Sequence, residues 1–378
     1  MLVNAGNAVL GLFGDKLQNI YHGGEHPGIG EIPAALSGAL VPIVKKDNYR
    51  CSLAVIGVLN RIRTDIEQTP AGKNSDGSAV FIHLSKATEN PMDAARALTI
   101  GPLGWVPAGA DERELYLTHK LIAKKGGYDG LLDVFGKRGG FSKDKLQTGE
   151  EPRIAFFLER IEPLAHAWED GRTSRTLSIL RDTGQEFTGS EWKKAVKVAL
   201  TTLLKLRQSG SVREVLNHVR DSRLFALTDN FDERLREGSK LAHISAADID
   251  ALEREAKEAA FFEELFALPY HQIAAFAEFF NEHTPFGTKH GAKGAEFDTV
   301  FVVLDDKGAR WSLYSFDKYL DGSDKAGNPE RFRRTRNVFY MCCSRAKRNL
   351  AVVDLGARTA AKDHQVQELF RKENCHYL

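Results

Sequence analysis

One stretch near the carboxyl end of the chain restricts the choice of fold more than any other. Residues 300–304 are an unbroken apolar run, Val-Phe-Val-Val-Leu. A short apolar run that is rich in β-branched residues is typical of a strand buried on both faces. Such strands belong to parallel α/β sheets, in which ligands gather at the loops next to the strand ends. The polar loop that leads into this strand is therefore the first place to look for a site.

That loop carries side chains of the kinds that hold phosphate and sugar groups. A hydroxyl, an imidazole, an ammonium, a glycine that permits close approach and a carboxylate come from Thr288, His290, Lys293, Gly294 and Glu296. Hydroxyl and cationic donors suit phosphate oxygens, whereas a carboxylate accepts hydrogen bonds from ribose hydroxyls. The loop therefore indicates contact with a nucleotide or a nucleic acid. Considered alone, His290 is also explained as a loop histidine that forms hydrogen bonds within the protein and has no functional role.

The bulk composition bounds the class of protein. The chain has 378 residues, enough for about two to three domains of ordinary size. Its formal net charge is +1, so a nucleic-acid site has to be a local patch. The four cysteines form no Cys-x-x-Cys pair, which predicts a reduced, cytoplasmic protein without a zinc site. No apolar run approaches the roughly 18 residues that a membrane span needs.

The order of elements predicts an α/β fold with a mainly helical insertion. Short strands and helices alternate over 26–140, helices dominate 141–270, and the alternation returns over 271–360. A first segment, 1–25, and a polar C-terminal tail, 361–378, flank these parts. The predicted strands are 8–13, 41–44, 80–84, 115–117, 300–304 and 350–354, and the predicted helices include 53–66, 246–268, 271–280 and 333–347.

Four segments of the chain carry recognisable motifs. They are Gly-Asp-Lys-Leu-Gln-Asn-Ile-Tyr at 14–21, Asn-Tyr-Arg at 48–50, Thr-Lys-His-Gly-Ala-Lys-Gly-Ala-Glu-Phe at 288–297 and Arg-Asn-Val-Phe-Tyr-Met-Cys-Cys-Ser-Arg-Ala at 336–346. In this order they resemble the third, fourth, fifth and sixth motifs of the UvrD/Rep family of superfamily 1 DNA helicases. One match alone is weak, but four in order over most of the chain argue against coincidence.

The resemblance implies a fold, a substrate and partners. The implied fold is a RecA-like parallel sheet, the second motor domain, interrupted by the helical insertion, with 1–25 as a remnant of the first motor domain. The implied activity is ATP-dependent 3′-to-5′ translocation along DNA. ATP with Mg²⁺ is the implied cofactor. The implied partner is single-stranded DNA or a duplex with a 3′ tail.

Within this resemblance, three residues would act on the phosphates of ATP. Gln18 would sense the terminal phosphate, Arg50 would bind the β- and γ-phosphates, and Arg345 would be an arginine finger. Arg345 follows Met341 by one helical turn, on or near an apolar seam, where a cation needs a partner because an unpaired buried charge is costly. The plain alternatives are a surface turn residue for Gln18, a surface ion pair for Arg50 and an interdomain salt bridge for Arg345.

Further residues would bind the rest of ATP and the DNA. The implied ATP contacts are Tyr49 on adenine, Gly294 at the backbone and Glu296 on the ribose hydroxyl. The implied DNA contacts are Tyr21, Thr288, His290 and Lys293. Tyr21 is an aromatic platform on which a base can stack.

The chain departs from the family at several positions. It contains no Gly-x-x-x-x-Gly-Lys-[Ser/Thr] phosphate loop, Gly23 stands where the family often has tryptophan, and Ser344 replaces a threonine. The Mg²⁺ ligands are therefore expected on a missing N-terminal part. The 378 residues alone are predicted to turn over negligible ATP.

Three assignments stay open at this point. The first is the C-terminal portion of a UvrD-like helicase. The second is an inactive helicase-derived DNA-binding module, or one half of a split motor whose partner supplies the Walker motifs. The third is a nuclease-associated helicase subunit of a defence or repair system, with the nuclease on a partner.

Two other features have simple interpretations. Asp305 and Asp306 follow a strand and read as its end rather than as a pair of metal ligands, so no metal site is predicted. The basic residues of 331–348 fit a solvated helix face as well as a nucleic-acid contact.

Overall fold

The apolar runs of the sequence lie side by side in a parallel sheet. The computed structural model describes residues 14–18, 41, 43–72, 76–85, 88, 90–117, 119–138, 142, 145–146, 149–181, 190–238, 240, 244, 248–281, 286–288, 295–306 and 314–378. Its strands are β1 (Asp47–Asn48), β2 (Thr69–Pro70), β3 (Ser78–His83), β4 (Glu112–Tyr116), β5 (Phe286–Thr288), β6 (Phe297–Leu304), β7 (Ala346–Asp354) and β8 (Cys375–Tyr377). Strands β1 and β2 form a small parallel pair, and six strands form one sheet in the order β5-β4-β6-β7-β3-β8.

Helices make up most of the remaining described chain. They are α1 (Leu53–Ile62), α2 (Pro91–Ile100), α3 (His119–Gly126), α4 (Asp129–Lys137), α5 (Pro152–Phe156), α6 (Glu162–Glu169), α7 (Thr173–Arg181), α8 (Ser190–Ser209), α9 (Val212–Asp221), α10 (Asp229–Glu237), α11 (Ile249–Ala267), α12 (His271–Phe280), α13 (Phe316–Leu320), α14 (Asp324–Gly327), α15 (Pro329–Cys343) and α16 (Ala360–Phe370). All described pairings within the six-stranded sheet are parallel. The predicted α/β fold, a RecA-like parallel sheet with helical parts, is confirmed.

Contacts divide the chain into two units. The sheet unit comprises Met1–Leu121 and Pro285–Leu378, and the helical unit comprises Ile122–Thr284. The domain boundaries predicted from the sequence, with a helical insertion at 141–270, stay a prediction. None of the described helices is both long and apolar enough to cross a membrane.

Strand β6 is buried on both faces, as its apolar run predicts. Val300 and Val302 belong to a core that also contains the buried residues of α1, α15 and α16. On the other face Phe301 packs against Trp105, with ring centroids 6.2 Å apart. An uninterrupted apolar run is needed here because both faces of the strand lie away from water.

At the carboxyl edge of the sheet, charged side chains neutralise one another. The Lys362 ammonium lies 2.7 Å from Asp354 Oδ2 and 2.7 Å from Asp317 Oδ1, and His83 Nδ1 lies 3.0 Å from Asp354 Oδ2. Burial alone would raise the pKa of Asp354, but the hydrogen bond with His83 and the charge of Lys362 outweigh it and lower this pKa. These groups tie α13 and α16 to the ends of β3 and β7.

Two segments differ from the prediction. The strand expected at 41–44 is wrong, because Val41, Ile43 and Val44 are irregular and exposed, Val41 by 85%. Proline at position 42 has no N–H for a strand ladder, which favours irregular backbone here. The C-terminal tail forms α16, a helix that the spacing of Val366, Leu369 and Phe370 predicts, and then β8, which was not predicted and which pairs with β3.

Aromatic rings fill the core of the helical unit. The rings of Phe157 and Phe231 meet edge to face with centroids 5.4 Å apart, and Phe262 packs against Phe231. Between α5 and α6 the helix widens to a π-turn at Phe157–Ile161. Pro163 follows this turn, and because a proline ring collides with the carbonyl of the preceding turn, the wider turn relieves the clash.

A buried ion pair joins α10 to α11. Arg234 donates from Nη1 to Glu255 Oε1 at 2.5 Å and from Nη2 to Glu255 Oε2 at 2.8 Å. The amide of Lys240 donates to the same carboxylate at 2.7 Å. The hydrogen bond from Arg234 is the main reason why the pKa of Glu255 is lowered to about 2.

We expect Glu255→Gln to lower the free energy of unfolding at neutral pH by about 2 kcal/mol, as for hydrogen bonds to charged groups. The folded pKa of about 2 lies below the value of about 4.3 for an unfolded glutamate. The contribution of the ionised Glu255 is therefore complete above about pH 4.3 and is lost as the pH falls towards 2. Urea unfolding of both proteins at neutral pH and near pH 3 measures the difference, which should shrink at the lower pH.

The matched control is Glu253→Gln on the same helix, since Glu253 is exposed and lies 3.9 Å from Lys257. We expect no measurable change for this variant. A difference for Glu255→Gln that stays constant between the two pH values contradicts the assignment.

Candidate nucleotide site

Two arginines and a glutamate that the sequence predicts to bind ATP come together at the amino ends of β6 and β7. Glu296 directly precedes β6, and Arg345 directly precedes β7, whose first residue, Ala346, pairs with Phe297. Arg50 lies in the turn before α1. Its Nη2 lies 2.8 Å from Glu296 Oε1, and its Nη1 donates to the Ser344 carbonyl at 3.4 Å.

The Arg50–Glu296 pair is partly open to solvent. The side chains are 34% and 43% exposed. Ion pairs at this degree of exposure contribute about 0–1 kcal/mol to stability, because water screens them. Arg50 can therefore exchange Glu296 for another anion at little cost to the fold.

The turn that carries Arg50 is fixed by its neighbours in the sequence. Asn48 Oδ1 accepts hydrogen bonds from the amides of Arg50 and Cys51, at 2.9 Å each. Two residues later, Ser52 caps α1 and donates from Oγ to the Arg348 carbonyl at 2.8 Å. The Ser52 amide also donates to the Lys347 carbonyl at 2.6 Å. Strand β7 thus anchors the Arg50 turn.

Arg345 is a buried cation held by neutral oxygens. It is 2% exposed, and its guanidinium donates to the Met341 carbonyl at 3.1 Å, the Ala295 carbonyl at 3.3 Å and Ser344 Oγ at 2.9 Å. No carboxylate forms an ion pair with it within the part of the chain that the structure describes. Burial, together with the charge of Arg50, lowers the pKa of Arg345. A guanidinium in this setting attracts an external anion.

Tyr49 places an aromatic face next to this group. Its side chain is 72% exposed. Gly72 has φ +83°, and a Cβ added there would lie 3.2 Å from Tyr49 Cδ1, so the lack of a side chain at Gly72 leaves room for the ring. The exposed ring offers a surface for stacking.

The other predicted site residues lie partly or wholly outside the described residues. Gln18 ends a short 3₁₀ helix, Lys16–Gln18, but its side chain is not described. Thr288 ends β5, again without a described side chain. Four predicted positions lie outside the described residues altogether: Tyr21, His290, Lys293 and Gly294.

Strand register separates the two ends of the 288–296 loop. Thr288 is level with Tyr116, which pairs with Val303 near the carboxyl end of β6. Glu296 precedes Phe297 at the opposite end of the same strand. At about 3.3 Å per residue, the backbone of β6 from 297 to 303 covers about 20 Å. Thr288, a predicted DNA contact, and Glu296, a predicted ATP contact, therefore lie at opposite ends of β6.

Several of the other charges singled out in the sequence have partners in the fold. Arg331 pairs with buried Asp324 at 2.6 Å, and Lys347 pairs with Asp111 at 2.9 Å. Asp306 accepts hydrogen bonds from Ser315 Oγ and from two amides at the start of α13, and it thereby caps that helix. No group of three potential metal-ligating side chains occurs among the described residues.

Sequence reasoning missed the residues that position Arg50. Asn48 belonged to the motif at 48–50, but its hydrogen bonds to the turn were not predicted. Ser52 carried a signal, because a serine directly before an apolar helical run is a typical N-cap. The bond from Ser52 to Arg348 spans most of the chain, and no local pattern could reveal it.

Comparisons with known proteins give one informative similarity. No family model matches the chain. The chain is 24% identical over 395 aligned positions to the Gabija protein GajB of Bacillus cereus (strain HuB5-5). The alignment covers 96% of this chain and 55% of that protein, so the chain spans about half the length of its curated relative.

We expect Arg345→Met to change the free energy of unfolding by less than about 1 kcal/mol. The loss of three hydrogen bonds is offset because a buried charge without a carboxylate partner no longer has to be desolvated. The matched variant Arg331→Met leaves the carboxylate of Asp324, which is 2% exposed, without its partner. That variant should lose about 3 kcal/mol or more.

Urea unfolding of both variants measures this contrast. Equal losses for the two variants, each of about 3 kcal/mol, would mean that Arg345 is a structural cation like Arg331.

Proposed function

We propose that this chain contributes one side of an ATP site in a helicase-related DNA motor. The observation that carries the proposal is Arg345, a cation 2% exposed, held by carbonyl and hydroxyl oxygens beside a second arginine. A fold has little reason to bury such a group for stability alone, because desolvation opposes it. A triphosphate is an anion of the size and charge that two adjacent guanidinium groups bind well.

Each site residue has a role in this proposal. Arg345 stabilises the charge that develops on the γ-phosphate, an effect that reaches about 10³–10⁵ in rate for arginine fingers. Arg50 releases Glu296 and binds the β- and γ-phosphates, and the freed Glu296 carboxylate accepts from the ribose hydroxyls. Tyr49 offers its open face to adenine. Mg²⁺, bound with ATP, neutralises phosphate charge, and its protein ligands are expected outside these residues.

Several observations support a helicase-related assignment. The segments at 14–21, 48–50, 288–297 and 336–346 stand in the order of the helicase motifs they resemble. The similarity to the Gabija protein GajB supports a helicase-related chain over nearly its whole length. UvrD-like 3′-to-5′ translocation is the specific form that we propose, on the resemblance alone.

One of the proposed DNA contacts, Thr288, lies at the carboxyl end of the sheet by strand register. The others, Tyr21, His290 and Lys293, lie outside the described residues and are proposed on the resemblance alone. Phosphate contacts of this kind make binding weaken as salt rises, because bound counterions are released.

The test is ATP binding by the 378-residue chain, measured by isothermal titration with Mg²⁺ present. We expect Arg50→Gln and Arg345→Gln each to weaken binding about ten-fold, as for the loss of a charged hydrogen bond. The control is Arg358→Gln, since Arg358 lies by Tyr377 and pairs with Asp363. No ATP binding, or equal weakening in the control, argues against the proposal.

A second measurement separates the motor half from a DNA-binding module. Single-stranded DNA binding with no detectable ATP affinity supports the inactive module. ATP binding without turnover, with hydrolysis appearing once a protein carrying the phosphate loop is added, supports one half of a split motor.

A further inference from the structure

Segment 14–18 is tied to the rest of the sheet unit by the carboxylate of Asp15. Its two oxygens lie 3.3 Å from Nη1 and 3.3 Å from Nη2 of Arg63. The same carboxylate accepts a hydrogen bond from the amide of Leu17, whose side chain is buried in the core. The Asn337 side chain on α15 donates to the Lys16 carbonyl at 3.1 Å. The short helix that ends at Gln18 is therefore fixed at its first turn to Arg63 and Asn337.

Tyr340, on α15, continues the line from Arg63. Its hydroxyl accepts from Arg63 Nη1 at 2.8 Å and from Gln68 Nε2 at 2.6 Å. Gln68 Oε1 then accepts from Asn48 Nδ2 at 2.6 Å. Gln68 uses Nε2 towards Tyr340 and Oε1 towards Asn48, whereas the single hydroxyl oxygen of Tyr340 accepts from both of its neighbours.

Asn48 ends the line at the Arg50 turn. Its Oδ1 accepts from the amides of Arg50 and Cys51, at 2.9 Å each. The orientation of the Asn48 amide group therefore depends on Gln68 on one side and sets the backbone of the proposed phosphate-binding turn on the other.

The two residues in the middle of the line, Arg63 and Tyr340, are buried and cannot exchange their hydrogen bonds for water. Arg63 is 5% exposed and Tyr340 is 3% exposed. Burial by itself would lower the pKa of Arg63, but its hydrogen bonds with Asp65 and the nearby Tyr340 and Asp15 raise it. A buried polar group without a partner is costly, so a shift in one member obliges its neighbour to follow.

The backbone around Gln68 is also fixed. Its amide donates to Asn60 Oδ1 at 2.8 Å, and Asn60 Nδ2 donates back to the Gln68 carbonyl at 2.9 Å. Asn60 lies on α1, the helix that starts directly after the Arg50 turn. Gln68 is thus held on a rigid base and can transmit a shift of the Tyr340 hydroxyl to Asn48.

We propose that Asp15, Arg63, Tyr340, Gln68 and Asn48 form one hydrogen-bonded relay that couples the position of segment 14–18 to the Arg50 turn. They act as positioning residues. The functional meaning of the relay rests on the proposed ATP site, in which Gln18 and Arg50 serve the same phosphates. A displacement of the Gln18 segment then reaches Arg50 within this chain.

Hydrogen exchange at the Arg50 and Cys51 amides tests the relay in the protein by itself. We expect Tyr340→Phe, which keeps the ring and removes the central acceptor, to speed exchange at both amides about five-fold, as for one lost hydrogen bond. Asp15→Asn, at the far end, should speed it about two-fold. The double variant should match Tyr340→Phe alone, because the relay is already broken.

Two controls guard against a general loss of fold. Tyr128→Phe removes a buried hydroxyl that has no hydrogen-bond partner among the described residues, and it should leave Arg50 unchanged. Amides of β6 and β7 should keep their protection in every variant. If Tyr340→Phe does not fold, Gln68→Met interrupts the same relay from a half-buried position and should give the same five-fold change.

Unchanged exchange at Arg50 and Cys51 in Tyr340→Phe or Gln68→Met overturns the relay. So does a double variant in which the effects of Asp15→Asn and Tyr340→Phe multiply, since independent sites behave in that way.

Added ATP with Mg²⁺ separates the relay from the proposed function. Where both hold, ATP slows exchange at Arg50 in the wild type and at segment 14–18 as well, and Tyr340→Phe confines the effect to Arg50. A relay seen without ATP, together with no response to ATP, leaves the relay standing and refutes the nucleotide site.

Discussion

The removal of the Arg345 guanidinium from water, without a carboxylate bound to it among the described residues, is the constraint around which the site is arranged. Three neutral oxygens replace its hydration, and each comes from a fixed part of the backbone or from the adjacent serine. The Ala295 carbonyl is in place because Phe297, two residues later, pairs with Ala346 and donates from its amide to the Arg345 carbonyl at 3.0 Å, just before the register shift between Phe297 and Thr299. The parallel sheet thus holds a charge that a looser fold would release to solvent.

Several other cations of the sheet unit differ from Arg345, because each of them lies next to a carboxylate. Arg331 lies against Asp324, Arg63 lies between Asp15 and Asp65, and Lys362 lies between two aspartates. Each of these cations joins one element to another through an opposite charge. Among the described residues Arg345 joins no element through an opposite charge, and Arg50 beside it pairs with the half-exposed Glu296. This difference marks the amino ends of β6 and β7 as the place where an anion is expected.

The sequence predicted the buried parts of the fold well and the connections between them poorly. The runs at 300–304 and 350–354 predicted β6 and β7, because strands covered on both faces must be apolar throughout. The same rule failed at 41–44, where an apolar run contains a proline and lies exposed. Strand β8 was missed because its three residues are half-buried at the sheet edge and carry little apolar signal.

For the site, the resemblance to the helicase motifs implied that Arg50, Glu296 and Arg345 form one group. The structure brings these three residues close together, although their roles stay a prediction. The hydrogen-bonded line from Asp15 to Asn48 could not be predicted from the sequence. Its members are ordinary polar residues separated by up to most of the chain length, and only the packing of α15 against α1 brings Tyr340 beside Arg63. Polar contacts of this kind produce no periodic pattern in the sequence from which they could be predicted.

Strand β6 has a mechanical consequence. It pairs with β4 on one side and with β7 on the other. It therefore cannot slide along its length without breaking its backbone hydrogen bonds to both strands. Under the proposed function this rigid strand, about 20 Å long, separates two sites. The proposed DNA contact of Thr288 lies at its carboxyl end, and the proposed ATP site lies at its amino end. A displacement of one end of this strand therefore moves the other end with it.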